Sequence, residues 1–285
     1  MKFISFIASG RASYGLVQDG GIVDLGARFG ATAPTLRRFI ELRAAGFEAA
    51  LPRGAVADFQ FGEIAHAPVI GDPAKIICVG LNFEEHRQET GRPKADHPAL
   101  FTRFADTLVG HGQPILRPPV SSALDYEGEV AVIIGRPGYR VPAERAHELV
   151  GGFACFNDAT LRDWQRHTHQ FTPGKNFPAT GGFGPVMVTP DEVPAFADMK
   201  IETRLNGAVM QQAHLGEMIF PVDRVIAYVT GFTPLRPGDV IAMGTPGGVG
   251  FKREPQLFMK PGDKVEVVVE GIGHLVNPIA DEAVA

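Results

Sequence analysis

"DYEGEVAVIIG", residues 125–135, reads as a buried β-strand that carries two carboxylates where a core strand has none. Its β-branched residues and closing glycine favour a strand. Side chains two apart share a face, so Glu127, Glu129, Ala131 and Ile133 lie on one side and Tyr126, Gly128, Val130, Val132 and Ile134 on the other. Both faces become apolar towards the C-terminal end, which implies burial on both. A buried, unpaired carboxylate costs several kcal/mol (roughly) or takes up a proton, and two neighbouring ones repel. Two readings stand. Either this end of the strand emerges into solvent and both glutamates are hydrated, or a hard divalent cation sits between them and turns repulsion into coordination.

The rest of the chain narrows the classes. It has 285 residues, enough for one large domain or a small one and a larger one. A net charge of -5 offers no basic footprint, which argues against nucleic acid as a partner. No apolar run approaches the ~20 residues of a spanning helix, and "MKFISFIASGRASYG" is too soon interrupted for a secretory signal. No membrane partner is expected. Cys78 and Cys155 sit in apolar, strand-like runs and read as buried thiols of a reducing compartment, the cytoplasm by default.

Frequent glycine and proline favour short strands over long helices. The first segments, "KFISFI", "ASYGLVQ" and "GIVDLG", suggest a small antiparallel set followed by a helix from about Thr35 to Ala50. A small N-terminal β-rich domain over 1–72 and a larger domain over 73–285 are expected. The class is a mixed, β-rich α+β fold.

Three segments of the larger part carry chemistry. In "KIICVGLNFEEHRQETG" (75–91) a strand turns into a helix that places His86 and Glu89 three apart on one face. A carboxylate beside an imidazole fixes its tautomer and raises its basicity, as a general base needs; an isolated pair of this spacing is as often a plain surface contact. In "GGFACFNDATLRDWQRHTHQFTPGKNF" (151–177) Asp158 ends an apolar strand, either as N-cap of the next helix or as a third metal ligand. His167 and His169 lack the further ligands a transition-metal site needs, and 166–175 reads as a mobile loop over a site. "GDVIAMGTPGGVG" (238–250) has neither the dinucleotide nor the phosphate-loop glycine pattern, but its backbone N–H groups and the Thr245 hydroxyl can face a carboxylate.

In order along residues 73–280, "VGLNFEEH", "PALFTRF", "DYEGEVAVIIG", "FNDATLRDWQ", "GKNF", "GTPGGVG" and "MKPGDKVEVVVEGIGHLVNP" resemble the fumarylacetoacetate hydrolase family. The resemblance implies a β-roll or sandwich behind a small N-terminal domain, and a homodimer. It implies that Glu127, Glu129 and Asp158 bind Mg²⁺, Mn²⁺ or Ca²⁺, that His86 and Glu89 form a proton-moving dyad, and that Lys175 is an active-site lysine. Arg162, Gln165 and Thr245 match positions that hold substrate. Arg103 stands where many members have Lys, and its forked guanidinium suggests a grip on a remote substrate carboxylate.

The reaction expected first is hydrolysis of a C–C bond in a 2,4-dioxo acid, an acylpyruvate such as fumarylpyruvate, in aromatic-compound breakdown. The substrate would be a small-molecule 2-oxo acid. The same parts suit an isomerase of 2-hydroxy-dienedioates or an oxaloacetate decarboxylase. A non-catalytic metal-binding protein would need the three carboxylates but not His86, Glu89 and Lys175.

Overall fold

A computed structural model of the chain describes residues 1–47, 51–52, 54–193 and 195–283. The strand Gly128–Ile134 is buried along its whole length. Its two faces feed different cores. Val130, Val132 and Ile134 join a cluster with Val225, Ile226 and Val229 of the helix Val222–Phe232, while Ala131 and Ile133 join Phe3, Phe39 and Phe156. That explains the apolar character of both faces, and it leaves Glu127 and Glu129 at the end of the stripe that holds Ala131 and Ile133.

This strand pairs antiparallel with Val150–Asp158 on one side and with Val240–Ala242 on the other. Beyond Val240–Ala242 lie Ile76–Gly80, parallel to it, and the edge strand Ala99–Arg103. Beyond Val150–Asp158 lies Gly181–Val188, then Lys2–Ala8, Arg11–Gln18, Gly21–Asp24 and Phe59–Gln60, in a 12-stranded sheet. A second, five-stranded sheet, containing Lys200–Leu205, Lys264–Val269 and Gly273–Asp281, packs over it. The fold is thus strand-rich α+β, as expected.

The boundary near residue 72 divides the sequence but not the sheet. Lys2 and Phe3 pair with Val188 and Met187, and Phe3, Tyr14 and Leu16 share a core with Ala154 and Phe156. The strand Lys2–Ala8 puts Phe3 on one face and Ile4 and Phe6 on the other, so it must be covered on both: Phe39 of the helix Leu36–Ala44 packs against Phe3, and Ile4 and Phe6 share a cluster with Val267, Val269 and Leu275 of the five-stranded sheet. The first strands therefore extend the main sheet and do not stand apart as a lobe.

The expected N-terminal helix is Leu36–Ala44, begun by Thr35, whose hydroxyl accepts from the Arg38 N–H at 3.2 Å. The end of the range first assigned to it, 48–50, lies outside the described residues. Both cysteines are buried free thiols. Among the described residues no helix is long and apolar enough to cross a membrane.

Candidate active site

Glu127, Glu129 and Asp158 come together at the ends of two paired strands. The Asp158 N–H donates to the Glu127 carbonyl at 2.9 Å, and one oxygen from each of the three carboxylates lies within 4.8 Å of the others. All three are buried, so the solvated alternative for the glutamates does not hold. Nor does Asp158 cap a helix: Leu161 is the N-cap of Arg162–Gln165. Gly128, between the two glutamates, has no room for a side chain, because a Cβ there would fall on the Thr203 hydroxyl.

Three buried cations surround the triad. Lys175 Nζ donates to Glu127 Oε2 at 2.7 Å and to Asp158 Oδ2 at 2.6 Å. Arg162 pairs with Asp125 at 2.8 Å and with Glu127 at 2.6 Å. Arg103 Nη1 donates to Asp158 Oδ1 at 2.6 Å. Burial alone would raise the pKa of Glu127, but Lys175 and Arg162 outweigh it and hold the carboxyl at about 2. Burial would lower the pKa of Lys175, and Asp158 and Glu127 reverse that, so it stays an ammonium ion. Glu129 differs. Among the described residues it forms no ion pair; it accepts the Gly244 N–H at 2.8 Å, and burial, Asp158 and Glu127 push its pKa well up.

Counting Asp125 with the triad, four buried carboxyls face three cations, and the one without an ion pair among the described residues, Glu129, is the one whose pKa burial and its neighbours push well up. The oxygen-only donor set, with no thiolate or imidazole, suits Mg²⁺, Mn²⁺ or Ca²⁺. These residues therefore fit a hard divalent ion held by Glu127, Glu129 and Asp158.

On the helix Glu84–Glu89, His86 is buried and its Nδ1 lies 2.7 Å from Glu89 Oε1. A carboxylate only accepts, so Nδ1 carries the proton and Nε2 is the ring's basic atom. The glycine-rich stretch holds this pair and the triad in one frame. Gly248 N–H reaches Glu89 Oε2 at 3.0 Å, Gly244 N–H reaches Glu129, and the Gly250 and Phe251 N–H groups reach Asp125 at 2.9 and 3.0 Å. The N–H groups expected to face a carboxylate thus bind carboxylates of the protein itself.

His86, Glu127, Glu129, Arg162, Lys175 and Thr245 line one cavity of about 410 Å³, a usual size for a small-molecule site. Gln165 lines it too and accepts from Arg162 Nη1 at 3.0 Å. The Thr245 hydroxyl donates to the Gly128 carbonyl at 2.9 Å and accepts from Gln211 at 2.7 Å, so it braces the wall. His167 and His169 are exposed at the rim and belong to no metal-ligating group among the described residues. Arg103 departs from expectation. It lies behind Asp158, 2 % exposed and outside the cavity lining, and it also donates to the Ala159 carbonyl, Thr180 and Thr107, so it is placed to hold Asp158 and not a substrate. Two participants escaped the sequence reading. Asp125 stood in the opening stretch, but its partner Arg162 comes from another element, and Gln211 braces Gly128 and Thr245 from the second sheet.

Residues 75–280 match the model of the fumarylacetoacetate (FAA) hydrolase C-terminal domain, and the chain belongs to that family. It is 37% identical over 267 residues to the mitochondrial oxaloacetate tautomerase FAHD2A of Bos taurus, covering 91% of this chain and 84% of that protein. Its structure resembles that of a putative HpcE protein from Mycobacterium smegmatis, with TM-score 0.89 and 31% identity over 99% of this chain and 100% of that one. It also resembles maleylpyruvate hydrolase from Sphingobium sp. SYK-6, with TM-score 0.81 and 25% identity over 99% and 100% of the two chains.

Proposed function

We propose that the protein is a divalent-metal-dependent enzyme that moves a proton at the carbon beside the carbonyl of a 2-oxo acid, interconverting keto and enol forms, with oxaloacetate as the leading substrate. The observation that carries this is the His86–Glu89 pair, at 2.7 Å, lining the same cavity as Glu127, Glu129 and Lys175. The tautomerase relative supports proton transfer over the hydrolysis expected first. When bound, a divalent ion supplies a Lewis acid that polarises the carbonyl and acidifies the neighbouring C–H. His86 Nε2 takes that proton from carbon and delivers it to the enolate oxygen to give the enol, the reverse transfer giving the keto form, while Glu89 holds the ring and balances the imidazolium. The Lys175 ammonium, its three N–H groups held by Glu127 and Asp158, lines the cavity as a fixed positive charge that favours the enolate. Arg162 Nη2, buried with no hydrogen-bond partner among the described residues, offers a donor to the substrate's carboxylate.

A second reading keeps the hydrolysis of a 2,4-dioxo acid. The maleylpyruvate hydrolase neighbour and a cavity roomier than a four-carbon acid needs favour it. Here His86 activates water against the distal carbonyl, the C–C bond breaks, and one water and one acylpyruvate give a carboxylic acid and pyruvate.

Proton NMR of the Mg²⁺- or Mn²⁺-loaded enzyme with enol-oxaloacetate and with acylpyruvates separates the two. Faster ketonisation with no change in mass is expected; two acids as products would select hydrolysis, and CO₂ would select decarboxylation. His86→Ala should lower turnover by about 10²- to 10⁴-fold while metal affinity holds. Undiminished turnover in that variant would remove His86 as the base.

A further inference from the structure

The helix that carries His86 and Glu89 is poorly equipped to hold itself in place. Between the strand Ile76–Gly80 and the helix Glu84–Glu89, Leu81 has φ of +58° and lines the cavity. A side chain other than glycine is crowded in that region, so the conformation persists only where its surroundings over-determine it. The helix itself has six residues, and its N-cap, Phe83, makes no side-chain bond to it. So short a helix is not stable by itself in water. Something outside it must fix the turn.

Asn82 does so. It is fully buried, and its side chain meets two distant parts of the chain: Nδ2 donates to the Phe220 carbonyl at 3.0 Å and to the Met243 carbonyl at 2.7 Å, while Oδ1 accepts the Phe220 N–H at 2.8 Å. The Ile219 N–H donates to the Asn82 carbonyl at 2.7 Å, and Phe83 bridges Met218. Two carbonyls only accept and an N–H only donates, so the three partners call for an amide. Aspartate would set an acceptor against both carbonyls, and leucine would leave three backbone groups unpaired in the core. Met243 and Gly244 belong to the triad's own frame. The Met243 N–H donates to the Val130 carbonyl at 3.0 Å, and the Gly244 N–H holds Glu129. Gly244 also lets Asn82 approach, since a Cβ there would lie 2.7 Å from Asn82 Cβ.

From this we infer that Asn82 is a positioning residue, which sets the His86–Glu89 pair against the triad by locking the turn at the foot of their helix. It lies outside the cavity lining and acts through His86, four residues further on. The Gly248 N–H on Glu89 holds the other end of the helix, so the pair is pinned at both ends. The inference rests on the reading above, in which His86 is the base.

The test uses the full chain loaded with Mn²⁺ and two variants: Asn82→Asp, which keeps the shape and the acceptor and loses both donors, and Asn82→Ser, which is too short to reach and brings no charge. Each should lower kcat by about 10- to 10²-fold, up to what a misplacement of about 1 Å costs, with KM and Mn²⁺ affinity within about threefold of wild type. Adding Asn82→Ser to His86→Ala should cost less than about twofold more, because a positioning residue then has nothing left to position, whereas independent effects would multiply. Hydrogen-exchange mass spectrometry gives a readout apart from turnover: exchange in either variant should rise over residues 84–89 and stay unchanged over 125–135. Undiminished kcat in both variants, effects that multiply, or exchange that rises in both segments alike or in neither overturns the inference. So does failure of both variants to fold, which would make Asn82 a residue of the fold alone. If exchange changes as expected but no 2-oxo acid is turned over, the anchor stands and the proposed reaction falls.

Discussion

Arg103 carries the same charge as a lysine, but its geometry decides what it does. One planar guanidinium reaches Asp158, the Ala159 carbonyl, Thr180 and Thr107 at 2.6 to 3.3 Å, a spread of directions that a compact ammonium cannot match. Its task is to hold Asp158 in the orientation the triad needs. Arg103→Lys should therefore weaken Mn²⁺ binding by about tenfold, as loss of an outer-shell partner does. It should shift KM for mono- and dicarboxylate substrates together. Arg103→Ala should also destabilise the fold by about 3 kcal/mol or more, because it leaves a buried carboxylate with one cation fewer. Mn²⁺ titration and urea unfolding check both. Unchanged metal affinity in the lysine variant would reduce Arg103 to a packing role. The residue type was plain in the sequence; its direction was not, because Asp158 and Thr180 lie 55 and 77 residues away along the chain.

At the level of elements, the glycine-rich stretch after the strand Val240–Ala242 ties three carboxylates from elsewhere to one backbone. Gly244 and Gly248 have φ of +94° and +95°, the left-handed region that aims their N–H groups at Glu129 and Glu89. Alanine at either position should cost about 1–3 kcal/mol in stability. The functional effects should diverge: Gly244→Ala should lower metal affinity through Glu129, and Gly248→Ala should lower kcat through Glu89 with metal affinity held. Metal titration and steady-state kinetics on the two variants test this, and identical profiles would refute the division of labour. The triad's glutamates and the His86–Glu89 pair were legible because their spacing is local, two apart on a strand and three apart on a helix. The loop was legible as a turn offering N–H groups. Its partners lie 115 to 159 residues away, and no local pattern encodes them. The same limit hid the pairing of Lys2 with Val188.

Across the whole molecule, the N-terminal strands meet the rest of the chain at a group of histidines. His66, in the short strand that pairs with Lys2–Ala8, has its ring 4.8 Å from that of His111, and its Nδ1 is buried without a hydrogen-bond partner among the described residues. Phe61 stacks on His66, and His111 Nδ1 accepts the Val276 N–H at 3.2 Å. His274, which influences His111, is held by Glu266 at 2.7 Å. Burial and His111 push the pKa of His66 down to about 4, against an opposing pull from the Pro185 carbonyl; burial and His274 lower that of His111. In the unfolded chain His66 takes up its proton near pH 6.5, whereas in the folded protein it stays neutral until about 4. The unfolded state therefore binds more protons across that window, and stability present above pH 6.5 is lost as the pH falls towards 4. The partial access of water to the pair limits the effect to about 1 to 2 kcal/mol. Carboxylates lose stability in acid as well, so the useful quantity is the difference from His66→Phe, which keeps a ring against Phe61 and cannot charge. Urea unfolding of both proteins between pH 7 and 4 should show the wild type falling more steeply, and parallel curves would mean that protonation of His66 does not set the acid limit of the fold.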